Sequence, residues 1–299
     1  MRIAVSGSRG LIGTALVPHL RAAGHEVTRI VRGSAQLDAI PWNPEEGTID
    51  AGVLHGVDAV VHLAGAGVGD HRWSASYKQT ILSSRVNGTA TLAEALSRLP
   101  RPPTVMVSAS AVGYYGSRGD EILTEDSGPG TGFLADVCAQ WESATAAAAS
   151  AGIRVVNLRT GVVLSAVGGA LKKQLPPFRL GLGARLGSGS QQLSWITRSD
   201  AVAAISFLIE GDGLSGPYNV TAPEPVPNSV FTQELGRALR RPAKLFVPAA
   251  VLRAVAGEEM ATEFLLSSQR AVPERLLAAG FVFADEALPA ALVTALGDR

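Results

Sequence analysis

The sequence predicts an α/β protein: a doubly wound parallel sheet with a smaller, mainly helical carboxyl-terminal domain. Three observations predict it. Short apolar, β-branched runs alternate with longer stretches of helical pattern through the first half of the chain. A glycine-rich turn joins the first run to the first helical stretch. Beyond Ser165 the alternation breaks, first into a Gly-rich segment and then into a mostly helical tail. Continuous apolar strands fit a parallel sheet covered on both faces, because no alternate side chain has to meet water. Right-handed crossovers then wind the helices onto both faces.

In chain order, Arg2–Ser6 (RIAVS) reads as a buried strand, followed by the glycine turn and a helix from about Leu11 to Ala23. Glu26–Val31 and Ala59–Leu63 are the next strands, and Ala75–Leu96 is a long helix. Thr104–Ser108 is a strand, Leu134–Ser150 an Ala-rich helix, and Ile153–Leu158 the strand that closes the series. The Gly-rich stretch after Ser165 reads as an insertion beside the sheet. A helix from about Ser199-Asp200 and a short strand Tyr218–Val220 return to it, before the Pro223, Pro225 and Pro227 cluster. The expected division is a dinucleotide-binding domain over 1–164, with 196–222 returning to the sheet. Residues 165–195 and 223–299 form a substrate domain that caps the strand ends, where ligands bind in open α/β sheets.

Composition narrows the function. Of 299 residues, 46% are apolar and 17% charged, with 26 basic and 26 acidic side chains. A zero balance lacks the basic excess that binds nucleic acid or an anionic membrane. The lone Cys138 cannot close an internal disulfide, and the scattered histidines show no ligand spacing, so no metal is expected. The N-terminus lacks a secretory pattern and no segment approaches a membrane span, which leaves a soluble, cytoplasmic protein as the expectation.

Gly7-Ser8-Arg9-Gly10-Leu11-Ile12-Gly13 spells G-x-x-G-x-x-G between a strand and a helix. The first glycine permits the turn, the second lets a phosphate approach the backbone, and the third lets helix pack on strand. In a Rossmann sheet the pyrophosphate of a dinucleotide then sits over the helix N-terminus. The end of the second strand selects the cofactor: an acid there binds the ribose 2′-hydroxyl of NAD, whereas an arginine suits the 2′-phosphate of NADP. Here the run is Ile30-Val31-Arg32-Gly33-Ser34, and the first acid is Asp38. Arg32 can stack on adenine or pair with phosphate, and Arg9 can approach from the glycine loop. The plainer alternative is two solvated surface arginines. NADP(H) is the expected cofactor.

These motifs, with HEVTRIVR, DAVVHLAGAG, the Ser83–Arg85 run, SASAVGYYG at Ser108–Gly116, AQWE, LRTGVVLS and FLLSSQRAVPERLLAAGF, resemble an extended short-chain dehydrogenase/reductase. More narrowly the chain resembles the atypical, sugar-nucleotide-epimerase-like group of epimerase family proteins, over nearly its full length. The resemblance implies cofactor contacts at Arg32, Leu63, Ala64, Arg85 and the strand end near Val162, with Val31 and Ser108 beside them. Gly65 would let the backbone approach the adenosine side.

Most enzymes of that superfamily use a Ser and a Tyr-x-x-x-Lys pair, in which the ammonium lowers the tyrosine pKa from about 10. No tyrosine here has a lysine four residues on: after Tyr77, Tyr114, Tyr115 and Tyr218 stand Ile81, Arg118, Gly119 and Ala222. Anchoring on Glu142 of AQWE puts Leu134 and Cys138 at the Tyr and Lys positions. Ser110 matches the superfamily serine, and Tyr114 or Tyr115 could supply a phenol as general acid; each has a packing role as its alternative. Cys138 reads as a small buried hydrophobe. Asn87 reads as support for its helix or the cofactor. Arg179, Gln191, Gln192 and Trp195 are the groups expected to face substrate, with structural roles as alternatives, and Asp200 reads as the first turn of a helix.

Three functions compete. The first is an NADP(H)-dependent oxidoreductase acting on a small carbonyl, imine or hydroxyl compound. The second is a sugar-nucleotide epimerase-like enzyme, and the third a non-catalytic NADPH-binding redox sensor. The expected partner is a small-molecule substrate, and a homodimer is an allowed assembly.

Overall fold

The computed structural model describes residues 1–33 and 39–298, so Ser34 and Asp38 lie outside the described residues. Among the described residues, eight strands form one sheet. Its first six in the chain are β1 (Arg2–Ser6), β2 (Glu26–Arg32), β3 (Ala39–Asn43), β4 (Thr48–Ile49), β5 (Ala59–His62) and β6 (Val105–Ala111). Across the sheet the order is Gly216–Val220, Arg154–Thr160, β6, β5, β1, β2, β3, β4. β1 pairs in parallel with β2 on one side and β5 on the other, from Ile3↔Val27 and Ile3↔Ala59 onward. The strand order therefore reverses at β1, and this reversal opens a crevice at the carboxyl ends of β1 and β5. The fold is the expected Rossmann type.

The strands lie where apolar runs put them, because residues such as Ile3, Ala4, Val5, Val60, Val61 and Met106 are wholly enclosed. Helix α1 (Gly13–Ala22) follows β1, and α2 (Ala75–Ser97) precedes β6. The Ser74 hydroxyl caps α2 by accepting from Tyr77 N at 3.1 Å. Leu92, Ala93 and Leu96 of α2 pack with Ile30, Ile40, Trp42 and Leu54 into one core cluster.

Some elements differ from expectation. β3 and β4 have no counterpart in the sequence reading: Pro41 inside AIPWN argues against a strand. It is tolerated because β4 pairs only with Trp42 and Asn43, leaving the outer side of β3 at Pro41 without a partner strand among the described residues. The expected helix at 134–150 is two, α3 (Phe133–Ser143) and α4 (Ala146–Ser150). Thr145 breaks it by turning its hydroxyl onto Glu142 O at 2.7 Å. The Gly-rich insertion contains a helix, Gly169–Arg179, and the short strands Ala184–Leu186 and Gln192–Leu193.

The chain divides into two compact units: 1–110 with 137–158 and 202–218, and 111–136 with 159–201 and 219–299. The first holds most of the sheet. The second has its own core of Leu171, Leu175, Phe178, Trp195, Phe231, Leu235 and Leu292 among others. Its buried Asp200, in the first turn of helix Arg198–Glu210, accepts from Ala284 N and Asp285 N, both at 3.0 Å. No helix is long and apolar enough to cross a membrane among the described residues.

His62 ends β5 with no exposure at all, its Nδ1 2.6 Å from Ser6 Oγ and its ring edge-on to Trp42 at 5.7 Å. Nε2 has no hydrogen-bond partner. Burial lowers its pKa to about 4. The folded protein therefore resists a proton that the unfolded chain takes up near pH 6.5. Stability is complete above that pH and falls as the pH drops toward 4, by about 3 kcal/mol over the window. Urea unfolding of wild type and His62→Asn between pH 7 and 4 should show a shallower pH slope in the variant; equal slopes would remove His62 as the cause.

Candidate functional site

The glycine turn shows why its three glycines are needed. Gly7 has φ +66°, and a β-carbon there would stand 2.6 Å from Leu63 C at the end of β5. A β-carbon on Gly13 would stand 2.3 Å from Gly7 O and 2.7 Å from Ser8 Cα. Such approaches are far inside van der Waals contact, so the turn, the start of α1 and the end of β5 can meet only without side chains. Helix α1 opens at Gly13 with no side-chain cap on its first N–H groups and no acid in its first turn. Gly10 O and Ile12 O take Thr14 N, Ala15 N and Leu16 N, so what the helix end offers an anion at the turn is its dipole.

A cavity of about 600 Å³ extends from this turn. Gly7, Ser8, Arg9 and Gly10 line it from the loop, Val31 and Arg32 from the end of β2, and Leu63, Ala64 and Gly65 from the end of β5. Ser83, Ser84 and Asn87 contribute from α2, and Trp42 and Glu45 from the segment after β2. Ser84 Oγ accepts from Ala66 N at 3.0 Å, which ties the loop after β5 to α2. The site joins two guanidinium groups, the glycine turn ahead of α1 and apolar residues of the β2 and β5 ends, which suits the adenosine and pyrophosphate half of a dinucleotide. Trp42 and Ala66 were not anticipated; with β3 unread in the sequence, nothing placed Trp42 beside β2.

Other expected cofactor residues have different positions. Leu11 and Ile12 do not line the cavity, and Gly13 lies buried beneath the turn. Ser108 is wholly enclosed in β6 and does not reach the cavity. Arg85 is 9% exposed, with Nη1 donating to Ile81 O at 3.0 Å and its guanidinium 5.0 Å from the Trp141 ring. A β-carbon on Gly65 would meet Arg85 Cζ at 3.4 Å, so Arg85 underlies the cavity loop rather than lining it. Val162 belongs to the second unit, where it pairs with Trp195.

The catalytic candidates separate. Ser110, one residue before the end of β6, is 4% exposed, and its hydroxyl donates to Glu142 Oε1 of α3 at 2.7 Å. Cys138, at the lysine position, is buried as expected. Tyr115 is a correction: it is wholly enclosed, donates to Asn219 Oδ1 at 2.7 Å and accepts from Arg159 Nη1 at 3.1 Å. Burial pushes its pKa up to about 12, although Arg159 and Asn219 oppose the shift. It is a core tyrosine whose phenol is already committed. Tyr114 lies half-buried with the Arg159 guanidinium 3.5 Å from its ring centroid, a stacked packing role.

Of the expected substrate residues, Trp195 is also a correction. It is wholly enclosed in the second unit's core, with Nε1 donating to Glu224 O at 2.9 Å, and cannot stack on a ligand. Arg179 is exposed in the last turn of its helix, where a cation favours the dipole, and lines none of the cavities described here. Gln191 lines a cavity of about 400 Å³ in the second unit and donates to Leu186 O at 3.1 Å. Gln192 donates to Asp120 Oδ1 at 3.0 Å.

Residues 3–221 match the model of the NAD dependent epimerase/dehydratase family, and residues 247–295 match a domain of unknown function (DUF1731). The chain is 48% identical over 282 residues to Epimerase family protein Mb2239 of Mycobacterium bovis, covering 94% of this chain and 93% of that one. It is similar to the crystal structure of human epimerase family protein SDR39U1 (isoform 2) with NADPH, at 36% identity, a TM-score of 0.92 and 99% of both chains. It is also similar, at 38% identity and a TM-score of 0.81, to a nucleoside-diphosphate sugar epimerase from Corynebacterium glutamicum, covering 99% of this chain and 58% of that one.

The turn itself is testable by stability. Gly13→Ala should lower the unfolding free energy by about 1–3 kcal/mol, because the helix must move off the strand. Gly128→Ala, with nothing within 4 Å of the new carbon, should shift it by less than about 0.5 kcal/mol. Equal effects in urea denaturation would mean that the close approach at Gly13 is not restrictive.

Proposed function

The chain belongs to the NAD-dependent epimerase/dehydratase family, and on that premise we propose that it is an NADP(H)-dependent oxidoreductase acting on a small carbonyl, imine or hydroxyl compound. The observation that carries the cofactor is the pair Arg9 and Arg32 on the wall of the glycine-turn cavity. Guanidinium forks match a phosphate monoester, and the human relative is a crystal structure with NADPH, which supports the same preference here. Gly7–Gly10 and the start of α1 would hold the pyrophosphate, Arg32 and Arg9 the 2′-phosphate, and Leu63–Gly65 the adenosine side. The bound cofactor supplies a hydride donor or acceptor.

The chain's own residues must then handle the proton. Leu134 and Cys138 cannot act as the Tyr and Lys of the superfamily. Ser110 and Glu142 form the couple that can. The Ser110 hydroxyl donates to that carboxylate at 2.7 Å, which leaves the lone pairs of Oγ to accept a proton. A substrate hydroxyl gives its proton to Ser110 Oγ while the serine proton passes to Glu142 Oε1; reduction of a carbonyl runs the same transfers backwards from protonated Glu142. Ser110 is the catalytic residue in this reading and Glu142 acts through it. The second reading is the redox sensor, which the Leu134 and Cys138 replacements favour; an epimerase must also remove a proton from a secondary alcohol, so it depends on the same couple.

Calorimetry should find NADPH bound at least tenfold more tightly than NADH, and Arg32→Asp should reverse that order. Equal affinities in wild type would overturn the 2′-phosphate assignment. Following NADPH absorbance with aldehydes, ketones, quinones and imines, Ser110→Ala should lose at least tenfold in kcat with unchanged NADPH affinity. Glu142→Gln should lose a similar amount in kcat. Tight binding without turnover across that panel favours the sensor.

A further inference from the structure

The second unit carries a charged groove that the proposed reaction does not use. It lies between the helix Asn228–Ala238 and the short paired strands Ala184–Leu186 and Leu245–Val247, with a volume of about 590 Å³. Arg185, Arg237, Arg240, Arg241 and Lys244 line it, and no carboxylate does. In a chain whose basic and acidic residues cancel, that is a marked local excess. Arg237 pairs with Glu234 on its own helix. Arg240, Arg241 and Lys244 are exposed and pair with no carboxylate among the described residues. Arg185 comes from a separate element and is fixed there. Its Nη1 donates to Gly187 O at 2.8 Å and Ser188 O at 2.5 Å, and its guanidinium lies 5.3 Å from the Phe246 ring centroid.

Cations at the end of a helix are commonplace, because they favour the dipole. Two features go beyond that. The charges converge from a helix, the loop after it and a strand of a different segment. In addition, Arg240 has φ +53°, the one left-handed non-glycine residue among those described. It follows the end of the helix, with Arg240 N bonded to Arg237 O at 3.0 Å and Arg241 N to Gly236 O at 2.9 Å. That position favours glycine, so arginine there costs conformational energy.

We propose that this groove binds a small molecule carrying a polyphosphate group. Five cations less the Glu234 carboxylate leave a net charge near four, which matches a triphosphate. Guanidinium forks suit phosphate oxygens, Ser229, Thr232 and Gln233 add neutral donors on the same helix, and the volume fits a small ligand. None of these residues lines the glycine-turn cavity, so the proposal stands apart from the cofactor assignment.

Inorganic tripolyphosphate titrated calorimetrically into the full chain at low salt, with and without saturating NADPH, tests it. Binding is expected in both conditions and should weaken as salt is raised. Arg241→Glu/Lys244→Glu should weaken it at least tenfold, while Arg32→Asp leaves it unchanged. Arg240→Gly should weaken it while raising Tm, a combination that a merely structural arginine would not give. No heat, heat unaffected by the double variant, or heat lost in Arg32→Asp or under NADPH would overturn the proposal. So would a poly-glutamate peptide binding more tightly than tripolyphosphate, which would make the groove a docking surface for an acidic protein.

Discussion

At the carboxyl ends of β1 and β5 there is no room for a β-carbon. The Gly7 backbone abuts Leu63, and Gly13 abuts Gly7 and Ser8, at separations that a side chain would close to less than 3 Å. This steric constraint does more than shape a turn. It brings the start of α1 against the sheet at the point where strand order reverses, so the positive end of the helix dipole lies beside the crevice. Without the close approach the helix would stand away from the sheet, and the turn would not close one cavity wall with the end of β5.

Electrostatics follows from that geometry. The cavity wall carries Arg9 from the glycine turn and Arg32 from the end of β2. Beneath it, Arg85 is a buried cation resting on a carbonyl and the Trp141 ring, its pKa lowered by burial. Trp141 is itself held by Nε1 donating to Thr89 Oγ1 at 2.9 Å. The same helix α3 carries Glu142 to Ser110. One helix thus supports the floor of the cavity and positions the carboxylate of the proposed proton couple.

The sheet was legible because its strands are enclosed on both faces, and RIAVS or AVVH can hardly be anything else. The glycine turn was legible because the requirement is local. β3 was not, since Pro41 is acceptable only where a neighbour happens to be missing. The helix Gly169–Arg179 was hidden by Pro176 and Pro177 near its end and by the glycines around it. At the cavity, Arg9 and Arg32 were expected from their offsets after β1 and along β2, whereas Leu63–Gly65 followed only from the family resemblance. Tyr115 and Trp195 could not: an aromatic with a polar tip reads alike in a pocket and in a core, and only the partners Asn219, Arg159 and Glu224 decide it. The Ser110–Glu142 bond spans 32 residues and depends on how α3 packs beside β6, which no local pattern records.

A crystal structure of the chain soaked with NADP is the most direct examination of the cavity. The diphosphate is expected over the Gly7–Gly10 turn, with the 2′-phosphate within hydrogen-bond reach of Arg32 or Arg9. A crevice left empty at saturating nucleotide, or a 2′-phosphate in solvent away from both guanidinium groups, would contradict the assignment of this site to a phosphorylated dinucleotide.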